Sequence, residues 1–215
     1  MATLAEIVTR VCDDLSRPET GNGGIGNVVR RELLLAVRFY ESNRLAFNER
    51  ALVFTLSNTA TYSFGAILAN VTDVDQILSI DNVVCEINGR EYPLLKWQWD
   101  DMISIDRSAP SVQGNPDAYA TWNRQMVFYP TPTTLTAVCY AHVRLLPLDD
   151  SNPSNEWTNE GEELIANRAA MMVCAKKLRN PQLADIYRMA TIAAWNQLHD
   201  RSVKEMSTGI LRPNE

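Results

Sequence analysis

The side chains that could act as catalysts are few in this chain, and their spacing does not bring them together. Activating a thiol nucleophile requires a histidine beside a cysteine, and His142 with Cys139 is the nearest such pair in the sequence. The residues around them alternate as in a strand, where side chains three apart point to opposite faces. The second histidine, His199, lies far along the chain beside Asp200 and Arg201. The sequence therefore predicts no histidine-based catalytic site.

Paired carboxylates are the other arrangement that could support catalysis. General acid–base cleavage needs two carboxyl groups aimed at one bond, whereas neighbouring residues on a helix or strand diverge. Helix caps and solvated turns use the same residue types without catalysis. The pairs are Asp13-Asp14, Asp73 with Asp75, Asp100-Asp101, Asp149-Asp150 and Glu162-Glu163. We predict that none of them is catalytic and that the protein is not an enzyme.

The residues that bind metals or cofactors are also dispersed. Four cysteines stand singly, and neither histidine lies at a ligand-like spacing from any of them; they are Cys12, Cys85, Cys139 and Cys174. We predict buried, reduced thiols, with a metal site or a disulfide as the open alternatives. The stretch "GNGGIG", residues 21–26, has no predicted strand before it and no Gly-Lys-Ser/Thr after it, so it predicts a loop and not a phosphate site. We therefore predict no metal and no cofactor.

The composition is that of a folded, acidic protein. The 215 residues are 46% apolar, enough for a sizeable core, and the formal net charge is −6. A protein whose main task is to hold phosphates needs a basic face, so this charge argues against that class; it does not exclude a surface past which nucleic acid slides. Because we find no signal peptide and no run of about 18 apolar residues, we expect a protein made in the cytoplasm without a membrane span.

The elements that must position any functional residue begin with helices at the N-terminal end. Thr3 with Glu6 predicts a capping box for a helix over residues 4–15. Asn27 predicts the cap of a second helix over residues 28–46.

Two further helices are predicted towards the C-terminal end. Asn159 predicts the cap of a helix over 160–178, and Asn180-Pro181 predicts the start of a helix that runs to about residue 206. This last helix is predicted to bury Leu183, Ile186, Tyr187, Ala190, Ala194 and Leu198.

Residues 51–146 have a strand-like period of two and frequent turn signals. Asn88-Gly89 predicts a tight turn, so "VVCEI-NG-REYPLL" forms a predicted hairpin. "QMVFYP" and "LTAVCYAHVRLLPL" predict a second hairpin across "TPTT". In the latter strand, the small residues Ala137, Cys139 and Ala141 share one face.

Together these patterns predict an α+β fold that is mainly a helical bundle with an inserted antiparallel β-rich block. The bundle comprises residues 1–50 and 158–206, which supply the N-terminal and C-terminal helix pairs. The β-rich insertion comprises residues 51–157. Gly209 is predicted to end helical order, so residues 207–215 are expected to form an extended tail.

Four arginines lie largely off the buried stripe of the second predicted helix: Arg30, Arg31, Arg38 and Arg44. Such residues form either a solvated helix face or a contact between subunits, where arginine is enriched. The residues alone leave both interpretations open.

Three segments carry a resemblance to a known family. They are "VVRRELLLAVRFYESNRLAFNE", "GNPDAYATWNRQMVFYPTP" and "ELIANRAAMMVCAKKLRNPQLADIYRMA". With the short capped helix before them, they resemble the head-to-tail adaptor (connector) proteins of short-tailed bacteriophages. The resemblance covers nearly the whole chain, and its motifs are structural patterns without a catalytic signature.

The resemblance implies a structural virion protein at the head–tail junction. Such adaptors form a ring, generally of twelve copies, beneath the portal protein, with a channel through which DNA passes without sequence-specific binding. The ring offers a platform to tail or nozzle proteins, and the C-terminal segment inserts into the portal. The portal-docking residues are then Thr208, Gly209, Ile210, Leu211, Arg212 and Pro213, and the four arginines of the second helix become candidate subunit-interface residues.

Three other functions stay open at this stage. The first is another neck or tail-completion protein of a phage. The second is a small hydrolase that uses His142 or a carboxylate, and the third is a nucleic-acid-binding module, against which the acidic composition argues. We also expect ring formation to need the portal as a template, because an acidic monomer gains little from self-association in dilute solution.

Overall fold

The structure is a computed structural model that describes residues 2–21, 23–108 and 112–210, with side chains except at 106–108 and 207–210. Its helices are α1 (Leu4–Asp14), α2 (Gly26–Tyr40), α3 (Phe64–Ile67), α4 (Trp99–Ser108), α5 (Glu156–Asn159), α6 (Glu162–Val173) and α7 (Pro181–Ile210). Its strands are β1 (Glu49–Leu56), β2 (Thr61–Ser63), β3 (Val74–Ile87), β4 (Arg90–Pro93), β5 (Leu95–Lys96), β6 (Gln113–Gly114), β7 (Ala118–Trp122), β8 (Gln125–Tyr129), β9 (Thr131–Pro132) and β10 (Leu135–Leu145). The fold is α+β, as predicted.

The chain divides into two compact units, one helical and one rich in β-structure. The β-rich unit is Asn48–Leu145, and the chain before and after it forms the helical unit. The predicted insertion, residues 51–157, therefore extends too far at its C-terminal end, because residues 146–157 belong to the helical unit. This segment contains Trp157, whose buried ring packs edge-on against Phe47 at 4.9 Å between centroids.

The capping box of α1 forms as predicted. The Thr3 hydroxyl accepts a hydrogen bond from the Glu6 amide at 3.2 Å, and the Glu6 carboxylate accepts one from the Thr3 amide at 2.7 Å. These two bonds satisfy donors that a helix N-terminus would otherwise leave unpaired.

Helix α2 begins two residues earlier than predicted and ends six residues earlier. The predicted cap, Asn27, is wrong, because the N-cap is Ile25 and the helix begins at Gly26. The helix ends at Tyr40 and not at residue 46, where the Asn43 side chain donates to the Tyr40 carbonyl at 3.1 Å. Asparagine competes in this way with the helical hydrogen bonds. A 3₁₀ turn, Ala46–Asn48, then leads into β1.

The predicted helix over 160–178 is divided. Asn159 is the last residue of α5, whose cap is Asn155, and α6 begins after Gly161. The prediction of Asn159 as a cap is therefore wrong. A π-helical turn, Cys174–Leu178, follows α6.

Helix α7 begins as predicted and ends later than predicted. Asn180 accepts a hydrogen bond from the Leu183 amide at 3.1 Å, and Pro181 is the first helical residue. The helical backbone continues to Ile210, so Gly209 does not end it. One interior glycine costs a helix only about 1 kcal/mol relative to alanine. The extended conformation predicted for residues 207–215 is therefore wrong for 207–210, and Leu211, Arg212 and Pro213 lie outside the described residues.

The strands form two four-stranded sheets and one two-stranded sheet in the described part of the chain. The first sheet has the antiparallel order β1–β10–β3–β4, and the second has the order β2–β8–β7–β5. Two pairs, β5 with β7 and β6 with β9, are parallel, which the prediction of an antiparallel block did not include. The face of β10 that carries Ala137, Cys139 and Ala141 is buried, as its alternation predicts.

One of the two predicted hairpins forms. Asn88 and Gly89, with φ of 54° and 73°, connect β3 to β4, and Ile87 faces Arg90 across them. The second predicted hairpin is wrong, because β8 pairs with β7 and β2, and β10 pairs with β1 and β3. The Asn123-Arg124 turn joins β7 to β8, and its φ values of 47° and 61° suit a tight hairpin.

Candidate assembly surface

The candidate catalytic residues occupy structural positions. His142 is buried in the β-rich unit, with its Nδ1 atom 3.2 Å from Glu49 Oε1 on the neighbouring strand. Burial, assisted by the charge of Asp81, raises the pKa of the Cys139 thiol to about 12. Because the thiolate is the nucleophilic form, Cys139 does not suit nucleophilic catalysis at neutral pH. His199 is exposed and lies against Trp195, with 5.7 Å between the ring centroids.

All four cysteines are buried free thiols, as predicted. Burial raises the pKa of each of them, and it raises that of Cys85 to about 11. Within residues 2–21, 23–108 and 112–210, no group of three or more histidine, cysteine or acidic side chains is arranged to hold a metal ion.

The four arginines of the predicted interface do not share one surface. Arg30 is held by an ion pair within the chain, its Nη2 atom 2.5 Å from Asp150 Oδ1. Arg44 lies beyond the end of α2. Arg31 and Arg38, seven residues apart, project from the same side of α2 and are exposed.

Two large apolar side chains lie between and beside these arginines. Leu35 is 44% exposed and Phe39 is 56% exposed. We call the set Arg31, Leu35, Arg38 and Phe39 the basic face of α2. On its opposite side the helix buries a regular stripe of Val29, Leu33, Ala36, Val37 and Tyr40. Helix α2 therefore has one apolar side that forms the core and a second side that remains uncovered in the isolated chain.

A cation–π contact holds the Phe39 ring in place. The guanidinium carbon of Arg168, on α6, lies 3.5 Å from the centroid of Phe39 and 5.3 Å from that of Tyr40. Tyr40 in turn stacks on Trp195 of α7, with centroids 5.3 Å apart and planes at 15°. An exposed ring that is already oriented loses little conformational freedom when a partner binds it. Sequence analysis missed this set, because Arg168 is distant from α2 in the chain.

Glu32 supports the basic face from below. It is 2% exposed, and its two carboxylate oxygens each lie 3.0 Å from a cation, Oε1 from Arg31 Nη2 and Oε2 from Lys176 Nζ. Burial opposes ionisation of this carboxyl, but the hydrogen bonds and charges of Lys176 and Arg31 outweigh it and lower the pKa of Glu32. The charged glutamate thus fixes the position of Arg31 on α2.

The arrangement is suited to binding a protein surface. Arginine and aromatic side chains are the residues that most often dominate the binding energy of protein interfaces. A sequence model of the SU10 adaptor protein family matches residues 2–214 of the chain. The chain belongs to this family. Membership confirms the resemblance to phage head-to-tail adaptor proteins and supports a structural role in the virion.

A comparison with curated proteins finds no match to this SU10 adaptor family member. Across its described ranges, none of its helices combines the length and the apolar character that spanning a bilayer requires.

Proposed function

We propose that the protein is a head-to-tail adaptor that assembles as a ring beneath the portal and connects the capsid to the tail. In this role it provides a platform for tail or nozzle proteins and surrounds a channel for DNA, and it acts by assembly without catalysis. The match of the SU10 adaptor protein family over residues 2–214 carries the proposal. The basic face of α2, where Leu35 is 44% exposed and Phe39 is 56% exposed, supports it.

In this proposal the helical unit forms the bundle that repeats side by side around the ring. Contacts join α6 to both α7 and α2, and α1 to both α2 and α6, so this unit has a continuous core of its own. The β-rich unit then serves the outer or tail-facing side. It has a separate core that includes Met102, Ala118, Ala120 and Val127.

The charge of the protein suits a channel through which DNA moves. Each phosphate held by a lysine or arginine adds to retention of DNA, and the formal net charge here is −6. A ring of such chains repels the DNA backbone weakly and does not grip it.

The C-terminal residues Thr208–Pro213 are proposed to dock into the portal. The helical backbone of α7 continues to Ile210, and the sequence that follows contains the apolar residues Leu211 and Pro213. Apolar side chains of this kind are buried when a partner covers them.

Truncation tests the docking proposal. Deleting residues 207–215 should abolish co-sedimentation with the portal protein of the same virus, and circular dichroism and thermal unfolding of the lone chain should stay unchanged. A matched variant replaces 207–215 with nine residues of Gly and Ser, which keeps the length and removes the apolar side chains. Both variants should lose binding. Binding by either variant at the level of the full chain would contradict the proposal.

A further inference from the structure

Three exposed asparagines of the β-rich unit lie in turns with the left-handed backbone conformation. Asn58, Asn88 and Asn123 have φ of 48°, 54° and 47°. Asparagine enters this conformation more readily than most residues with a side chain. The three turns connect β1 to β2, β3 to β4 and β7 to β8. Residue type, exposure and backbone conformation are therefore matched at the three positions, and their chemical difference lies in the residue that follows each asparagine.

Glycine follows only the second of these asparagines. Gly89 comes after Asn88, whereas threonine and arginine come after the other two. A side chain on the following residue obstructs its backbone amide nitrogen, and glycine has none. A Cβ atom at Gly89 would meet no atom within 4 Å, so the turn is open on that side. In a two-residue hairpin loop the flanking pair, here Ile87 and Arg90, makes the last contacts of the ladder. The amide nitrogen of Gly89 therefore lies outside the ladder and is accessible.

We propose that Asn88 is a site of spontaneous deamidation. The amide nitrogen of Gly89 attacks Cγ of Asn88 and forms a C–N bond, while the bond from Cγ to Nδ2 breaks. Nδ2 takes the proton of the attacking amide and leaves as ammonia. Water then opens the cyclic imide at either carbonyl carbon, which gives aspartate or isoaspartate. The reaction needs only water, and it converts a neutral amide into a carboxylate.

The place of the turn in the sheet also favours reaction at Asn88. Ring closure requires rotation about the Cα–C bond of Asn88, and a turn held by strand pairing resists this rotation. β4 is an edge strand that pairs with β3 alone, and all four of its residues are exposed. Segments with exposed backbone hydrogen bonds and few buried contacts open locally at low free-energy cost. The strand after Asn123, β8, is instead paired on both sides and has a buried centre, so the Asn88 turn opens more readily.

Deamidation weakens the hairpin in which it occurs. Glu86 and Glu91 already face each other across β3 and β4, and like charges on opposite strands are destabilising. A carboxylate in the turn adds to this repulsion. Isoaspartate also lengthens the main chain of the turn, so the two-residue connection between Ile87 and Arg90 is lost. The product therefore holds β4 to β3 less firmly than Asn88 does.

Tandem mass spectrometry of the aged chain tests the proposal without a binding partner, so the outcome does not depend on the proposed adaptor function. The full chain is incubated at mildly alkaline pH below its unfolding temperature, and conversion at Asn58, Asn88 and Asn123 is followed by the increase in peptide mass. We expect Asn88 to convert at least about tenfold faster than the other two, because its successor alone lacks a Cβ atom. An Asn88 that stays intact, or that converts no faster than either control, would overturn the proposal.

A matched variant separates the Asn-Gly pair from its place in the fold. Arg124→Gly creates such a pair in the turn before β8, and the variant should fold because glycine suits the φ of 61° there. In the folded variant Asn123 should convert more slowly than Asn88, and the two rates should become equal when urea unfolds the chain. Equal rates in the folded variant, or a difference that persists in urea, would overturn the role of the edge hairpin. The other Asn-Gly pair of the sequence, Asn22-Gly23, lies on a separate tryptic peptide and is scored apart.

Discussion

At the scale of single residues, the most informative position is a buried charge. Glu32 lies beneath an exposed arginine and joins α2 to the π-helical turn through Lys176. A buried carboxylate is tolerated only when it is paired and hydrogen-bonded, and both oxygens of Glu32 meet that condition. The same carboxylate therefore stabilises the helical unit and fixes the position of Arg31 on the basic face.

Replacing this carboxylate with a neutral amide should weaken the helical unit. We expect Glu32→Gln to lower the free energy of unfolding by about 1–3 kcal/mol at neutral pH, because hydrogen bonds to charged groups contribute about that much. Urea unfolding followed by circular dichroism measures it. Glu163→Gln, at an exposed position on α6, should change the stability by no more than about 0.5 kcal/mol. Equal effects of the two substitutions would contradict this assignment.

The same variant gives a pH dependence of known sign. Folding lowers the pKa of Glu32 from its ordinary value of 4.5. The charged carboxylate therefore stabilises the folded protein fully above the pKa of the unfolded chain, and this stabilisation is lost as the pH falls through the pKa of the folded protein. The stability difference between the native chain and Glu32→Gln should therefore be constant above about pH 5 and shrink below pH 4.5. A difference that grows on acidification would contradict the lowered pKa.

At the scale of elements, backbone hydrogen bonds hold the described part of the predicted loop between α1 and α2. Its described residues form a hydrogen-bonded turn: the Gly24 amide donates to the Gly21 carbonyl, and the Ile25 and Gly26 amides donate to Pro18 and Glu19. A Cβ atom at Gly24 would lie 2.8 Å from the Glu19 carbonyl oxygen. The glycine there permits a close approach of two backbone segments.

Two glycine-to-alanine substitutions distinguish the effect of a backbone clash on stability from the effect of helix propensity. Gly24→Ala should destabilise the helical unit by more than about 1 kcal/mol, because a backbone atom cannot move aside cheaply. Gly65→Ala, in α3, meets no atom closer than 3.9 Å and should be neutral or stabilising by up to about 1 kcal/mol. Thermal unfolding of both variants measures the contrast, and a Gly24→Ala protein as stable as the native chain would refute it.

Local signals predicted elements well, and long-range pairing was not available from the sequence. The Thr3 capping box, the Asn180-Pro181 helix start and the Asn88-Gly89 turn each depend on residues within a few positions of one another. The partner of β8 depended on whether a left-handed Asn123-Arg124 turn forms. Arginine seldom adopts that conformation. The turn signals of "TPTT" led to the prediction that β8 pairs with β10.

The basic face of α2 was predictable only in part, because local spacing gives the exposed side of a helix but not the distant residues that contact it. The spacing of Arg31 and Arg38 placed both outside the buried stripe, and the structure leaves both exposed. Arg30 was predicted alongside them, but the structure pairs it with Asp150, far away in the chain. The prediction that α7 buries Ile186 was wrong, because this side chain is 63% exposed. An isolated sequence does not distinguish a residue buried in its own core from one buried by another copy.

At the scale of the whole molecule, the chain combines a helical unit and a β-rich unit that is inserted between its two halves. Both belong to a single family match that covers residues 2–214. Exposed apolar side chains lie on both units, among them Phe39 of the helical unit and Trp122 of the β-rich unit. Alone and dilute, it should remain a monomer or a small oligomer.

Electron microscopy of the protein mixed with the portal protein of its virus tests the central claim most directly. The account predicts closed rings of this chain seated on the portal and absent from the protein alone, with analytical ultracentrifugation of the lone chain showing monomer or small oligomers. Portals that remain bare at saturating protein concentration, or stable rings formed without the portal, would contradict the account.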